Sequence, residues 1–213
     1  MQWALLVMVI MFLIVAYVVM QGTRVAMAWR KAAEDGDVKV IAEIVDDSLT
    51  EWRSKKKPKE IAVDVWRGMQ STQLVEVAAD FVRVSCQAES EYRREGKNWV
   101  ESANPLQTGM AITARVAEMV FYDLPHFRPQ RIQIDVYTTF RDGNGASSRA
   151  CIMSTEADRS EALVVDWDEW TGEEIADSLG ARYRMGERGQ PLAIEVADPA
   201  VEDEAEEAPM VNS

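Results

Sequence analysis

Histidine and cysteine are almost missing from this chain, with one His and two Cys among 213 residues. A lone imidazole and two thiols without ligand spacing exclude the usual zinc and haem arrangements and any His-based triad with a recognisable partner. Positive charge is also scarce: 23 basic against 36 acidic side chains give a formal net charge of −13. Phosphate backbones repel a chain this acidic, so nucleic acid is not an expected partner. The phosphate cradles G-x-x-x-x-G-K-[ST] and G-x-G-x-x-G are absent, as is the G-x-S-x-G elbow.

The remaining catalytic signals are weak. Ser54-Lys55-Lys56-Lys57 satisfies S-x-x-K, but the companion S-D-N and K-T-G patterns are lacking and the Ser lies in a basic loop. His126, between two prolines in LPHFRP, has no nucleophile to serve. Asp142-Gly143-Asn144-Gly145 starts like a calcium loop, yet Met153 stands where the bidentate Glu belongs, and a hairpin turn accounts for it better. The chain is therefore expected to have no catalytic activity, no cofactor and no metal.

What the chain does contain is a long apolar run. Residues 3–20, WALLVMVIMFLIVAYVVM, carry no charge and span about 27 Å as a helix, one bilayer crossing. No Lys or Arg precedes the run, and it exceeds the ~7 to 15 residues of a cleaved leader, despite an A-x-A-like tract at Val25-Ala26-Met27-Ala28. A retained anchor over residues 1–22 is expected. Arg24, Arg30, Lys31 and Lys39 all follow the run, so the positive-inside rule puts the N-terminus outside and the body in the cytoplasm of a single-pass cell-membrane protein. A reducing compartment then leaves Cys86 and Cys151 as small buried thiols.

Residues 23–58 read as a juxtamembrane helical segment. Helix formers run to Gly36, the first stop, and Asp37 can cap a second helix with Val38, Ile41, Val45, Leu49 and Trp52 on one stripe. If the chain reverses at Gly36, this helix returns Arg53, Lys55, Lys56, Lys57 and Lys59 toward the membrane, where each cation near anionic headgroups contributes about 1 kcal/mol. A solvated loop closed by Pro58 is the competing reading.

Residues 59–197 carry the pattern of a soluble domain. Over 59–70, helical and strand spacings are both satisfied. Alternation then predicts strands at 73–77 and 81–93, joined as a hairpin, and a third at 98–102 after the turn Glu95-Gly96-Lys97. Pro105 opens a helix to about Tyr122 with a wide apolar stripe. Strands at 132–140 and 147–155 follow, then a short helix with the capping box Thr171-Gly172-Glu173-Glu174 and the stop Gly180, then a small hairpin. The order argues an α+β fold, an antiparallel sheet domain covered by helices behind one N-terminal transmembrane helix. Residues 198–213 hold six acids and no base, and read as a disordered acidic tail.

Asp166-Trp167-Asp168-Glu169-Trp170, with Glu173 and Glu174 beyond, is the densest cluster of carboxylates and aromatics. Its acids suit solvent and the positive end of the next helix, and Trp167 and Trp170 are the candidate protein contact. The stretch 73–101, a hairpin ending in Arg93-Arg94-Glu95-Gly96-Lys97, resembles the sheet-forming part of membrane-associated domains with an NTF2-like cone fold. That resemblance implies a tethered binding module. The segment 105–122, helical here, departs from the strands expected there. The function expected from all this is a membrane-anchored protein-binding module, an accessory subunit of a membrane complex or a tethered adaptor, whose partners are the lipid bilayer and other proteins. A membrane-tethered sensor or carrier of a small ligand, with an NTF2-like cavity, is the alternative.

Overall fold

In a computed structural model, residues 2–95, 98–141, 147–187 and 189–196 are described. The turns expected at Gly96-Lys97 and at Asp142-Gly143-Asn144-Gly145, and the acidic tail, lie outside these residues.

Helix α1 (Gln2–Glu34) runs unbroken from the apolar segment through Gly22. Its stretch Ile10–Glu34 is long and apolar enough to cross a membrane, with a mean hydropathy of 1.7 in a window of which none is buried against the rest of the chain. Gly36 ends the helix at φ +77°, a left-handed conformation that costs a glycine nothing. The Asp37 carboxylate then accepts from the amides of Lys39 and Val40 and caps α2 (Val38–Ser54). The buried stripe of α2 is Ile41, Ile44, Val45, Ser48 and Leu49, whereas Val38 is exposed.

Residues 59–70 resolve as a loop and a helix, α3 (Val63–Gln70). Gly68 is buried so closely that a Cβ there would lie 2.8 Å from the carbonyl oxygen of Gln87 and overlap the Ile112 side chain. Val65 and Gly68, three positions apart, form the buried side of this helix, so the helical spacing is the one realised.

Strands β1 (Gln73–Val77) and β2 (Phe81–Gln87) form the expected antiparallel hairpin. The strand expected over 81–93 is in fact two: β2 stops at Gln87, the Ala88 amide donates to the Tyr137 carbonyl, and β3 (Glu91–Glu95) pairs with β4 (Asn98–Ala103) in a separate two-stranded sheet. Asn104 caps α4 (Pro105–Glu118), whose Pro stands in the first turn. The helix expected to reach Tyr122 changes winding at its end into a π-turn, Met119–Asp123. Long strands β5 (Arg131–Arg141) and β6 (Ser147–Asp158) follow, then α5 (Arg159–Ala162), α6 (Gly172–Ser178), β7 (Arg182–Met185) and β8 (Pro191–Leu192).

The main sheet has six strands in the order β1-β2-β5-β6-β7-β8. It is mixed, not wholly antiparallel as expected: β2 and β5 are parallel, paired from Phe81–Arg131 to Gln87–Tyr137. The physical reason is the connection between them. The β3–β4 hairpin and α4 carry the chain back along the sheet, so β5 re-enters in the direction of β2, as a crossover requires. The fold is thus α+β with a mixed sheet.

The core lies between this sheet and the helices. Val82, Val84 and Cys86 of β2, Ile132, Ile134 and Val136 of β5 and Met153 of β6 are fully or almost fully buried, as are Ile112, Val116 and Ala117 of α4 and Val120 and Phe121 of the π-turn. Gly109 lets α4 sit directly on the sheet, since even a Cβ there would lie 3.0 Å from Val136 Cγ1.

Candidate binding site

The chain reversal at Gly36 sets the geometry of everything that follows. Gly22 stands fourteen residues before Gly36 and Glu51 fifteen after it, and both line one groove of about 340 Å³ between α1 and α2. Val25, Ala26 and Trp29 continue the α1 wall, opposite Ile44, Asp47 and Ser48. The two helices are therefore antiparallel, and the end of α2 lies level with the end of the apolar run. Pro125 and His126 close the same groove. His126 is exposed and has a positive φ, 62°, the only non-glycine to do so among the described residues, where the chain bends between the π-turn and β5.

One turn past Glu51 the basic loop begins. Arg53 is half-buried, donates to the Leu49 carbonyl over 3.1 Å and lies 3.8 Å from Asp46. Lys55 pairs with Glu51 at 3.1 Å. Lys57 folds over its own loop, its Nζ donating to the carbonyls of Pro58 at 2.8 Å and Ile61 at 2.6 Å. Lys56 and Lys59 are exposed. The cations share one edge of the domain, although Arg53, Lys55 and Lys57 are partly committed to protein partners.

Lys55 and Lys56 also line a groove of about 380 Å³ with Trp52, Pro58, Trp66, Met69 and Met119. Glu60, Ile61, Arg115 and Glu118 belong both to this groove and to a second depression of about 180 Å³, at the far end of which stand Trp167 and Trp170. The tertiary structure thus joins Lys55 and Lys56 to Trp167 and Trp170 along one surface between α3, α4 and the loop before α6, whereas Arg53, Lys57 and Lys59 do not line it. Arg115 and Glu118 pair at 3.0 Å in its middle, so the channel is charged at its centre and aromatic at both ends.

Trp167 is half-buried: its Nε1 donates to the Ala162 carbonyl at 3.3 Å and its ring meets Tyr122 edge-on at 6.0 Å. It holds the loop in place. Trp170 is 39% exposed, and Leu163 and Val164 on the same loop are each 72% exposed, an apolar tip without cover. The nearby acids are occupied locally. Asp166 Oδ1 accepts from the amides of Asp168 and Glu169, and Glu174 accepts from the amide and hydroxyl of Thr171. These bonds, the backbone bond first, hold the Glu174 carboxyl below its ordinary range. Among the described residues no three His, Cys, Asp or Glu are grouped to hold a metal ion.

Cys86 and Cys151 are free and buried. Burial first, then the charge of Asp135, raises both thiols; Cys151 is pushed up to about 11. Such thiols are poor nucleophiles at neutral pH.

Sequence spacing did not single out Trp66, Met69, Met119 or Arg115 as site residues. The π-turn at Met119 offered no local signal, although π-turns recur at functional sites. Trp52 was legible on the stripe of α2, and only the tertiary structure brings Trp66 and Met119 beside it in one groove. No protein-family model, no curated protein and no solved structure matches the chain.

Proposed function

We propose that this is a single-pass membrane protein whose helical anchor crosses the bilayer with its N-terminus outside, and whose cytoplasmic domain binds another protein, as an accessory subunit or tethered adaptor. The observation that carries the reading is the antiparallel packing of α2 on α1, which sets Glu51 level with Gly22. Lys55 then falls level with the last turn of the apolar run, and the basic loop faces the headgroup layer. Arg24, Arg30, Lys31 and Lys39 support the cytoplasmic side for the body. The protein contact is the uncovered tip of Leu163, Val164 and Trp170 at the opposite end of the channel.

The full chain extracted from its membrane in mild detergent tests the reading. It should migrate in an assembly of fixed composition well above monomer size, and Leu163→Ser with Trp170→Ala should release it while its melting temperature stays close to that of the parent. Monomeric migration of the parent overturns the partner reading. Release from the membrane by alkaline carbonate overturns the anchor.

A further inference from the structure

The wall of α2 that faces α1 carries two carboxylates, Asp47 and Glu51, along the groove of about 340 Å³ between the helices. Four residues apart, they stand one above the other on one side of α2, a like-charge spacing that weakens a helix unless something offsets it. No Lys or Arg lines this groove, so its charge has one sign. Glu51 meets the Lys55 ammonium at 3.1 Å from outside the groove, whereas Asp47 is exposed and has no ion-pair partner among the described residues.

Depth decides what meets them. Asp47 stands eleven residues after the reversal at Gly36 and Ala26 ten before it, so Asp47 is level with Ala26 as Glu51 is level with Gly22. At the helical rise, Gly22 and Ala26 lie about 3 Å and about 9 Å beyond Met20, the end of the apolar run. The headgroup layer is about 5–8 Å thick on each side of the hydrocarbon. Glu51 lies within that layer and Asp47 at its outer limit, a placement that rests on the anchor proposed above. Between them and α1 the groove floor is apolar, with Val25, Ala26 and Trp29 opposite Ile44. We propose that this groove binds the headgroup of an ethanolamine phospholipid, its primary ammonium held by Asp47 and shared with Glu51, its glycerol end toward Gly22 and the bilayer.

Chemistry favours a primary ammonium. Its three N–H donors serve two carboxylates at once in charge-assisted bonds, and Lys55 makes such a contact at Glu51. A choline headgroup has no N–H to donate and is recognised by a cage of aromatic faces, where this groove offers one indole, Trp29. Anionic headgroups without an amine meet two like charges.

The test places the full chain in nanodiscs of phosphatidylglycerol, phosphatidylcholine and phosphatidylethanolamine in equal parts and reads the lipids it retains by native mass spectrometry. One phosphatidylethanolamine should stay bound, at several times the frequency of either other lipid. Asp47→Asn with Glu51→Gln should bring the three to equal frequency, and Lys55→Gln with Lys56→Gln should leave the preference in place. All four side chains are exposed, so the fold tolerates both variants. Adducts that follow the bilayer composition, equal retention of the choline lipid, or a preference that survives the Asp47 and Glu51 substitutions overturns the proposal. Displacement of a co-purified protein by those substitutions, with no lipid lost, also overturns it and gives the groove to a cation of a partner chain. A chain that stays in the membrane through alkaline carbonate but shows no preference overturns this inference alone; release by carbonate overturns the anchor with it.

Discussion

Arg83 and Asp135 face each other across the parallel strand pair, with Arg83 Nε donating to Asp135 Oδ2 over 2.8 Å. The carboxylate is 1% exposed, and Ser85, Gln133 and Ser154 on the same face of the sheet are buried with it. Its other oxygen accepts from Ser154 Oγ at 2.7 Å and Gln133 Nε2 at 3.0 Å, so donors from β2, β5 and β6 converge on one buried charge. The three central strands are stitched together there. Arg83→Met leaves that charge uncompensated and should cost about 3–5 kcal/mol in urea unfolding. The double variant Arg83→Met with Asp135→Asn should recover part of the loss; equal losses in both would mean the charge is not the reason.

Gly68 is where α3 meets α4. Gly68→Ala places a methyl against the end of the buried Ile112 side chain, which must shift, and 2.8 Å from the Gln87 carbonyl oxygen, a backbone atom that gives way less readily. The expected loss is about 1–3 kcal/mol, the usual cost of overpacking, read as a lower melting temperature. Because α3 also carries Trp66 and Met69, the channel beside it should shift, and tryptophan emission should change with it.

The Thr171–Glu174 capping box holds the first turn of α6 beneath the Trp170 loop. Thr171→Ala should cost about 1 kcal/mol. For Glu174 the sign follows from a folded-state carboxyl held below its ordinary value: the stabilisation is present above that value and is lost as pH falls through the lowered one. Acid titration of Thr171→Ala should therefore show a shallower fall in stability below the carboxylate range than the parent shows.

Cys86 and Cys151 should resist alkylation in the native protein near neutral pH and react together only on unfolding. Their thiols are raised, so the neutral form is favoured by folding. That contribution is complete below the ordinary thiol value and is lost as pH rises through about 11 at Cys151. Mass spectrometry after iodoacetamide at graded urea checks this. Labelling of either thiol before the global transition would show local opening instead.

Much of the architecture was legible in the residues because it rests on short-range physics. The apolar run, the stop at Gly36 with its Asp37 cap, the Thr171–Glu174 box and the stop at Gly180 each act within one or two helical turns. The alternation of β5 marks its apolar face, Ile132, Ile134 and Val136, although the polar residues between them are buried as well. The candidate site was legible only in pieces: Lys55 and Lys56 as part of a cationic run, Trp167 and Trp170 as clustered aromatics.

Tertiary contacts decided the rest. Residues 59–70 satisfy two periodicities, and the burial of Val65 and Gly68, three positions apart, realises the helical one. After Gln87 the chain leaves the main sheet, and β3 pairs instead with β4 in a second sheet, a partner choice that the alternation of residues 81–93 does not encode. The parallel pairing of β2 with β5 depends on how an intervening hairpin and helix pack, not on the pattern of either strand. The channel joining Lys55 to Trp170 exists because α3, α4 and the loop before α6 meet there. Caps and periodicity are properties of neighbouring residues, whereas register, strand direction and the convergence of distant side chains are set by the close packing of surfaces far apart in the chain.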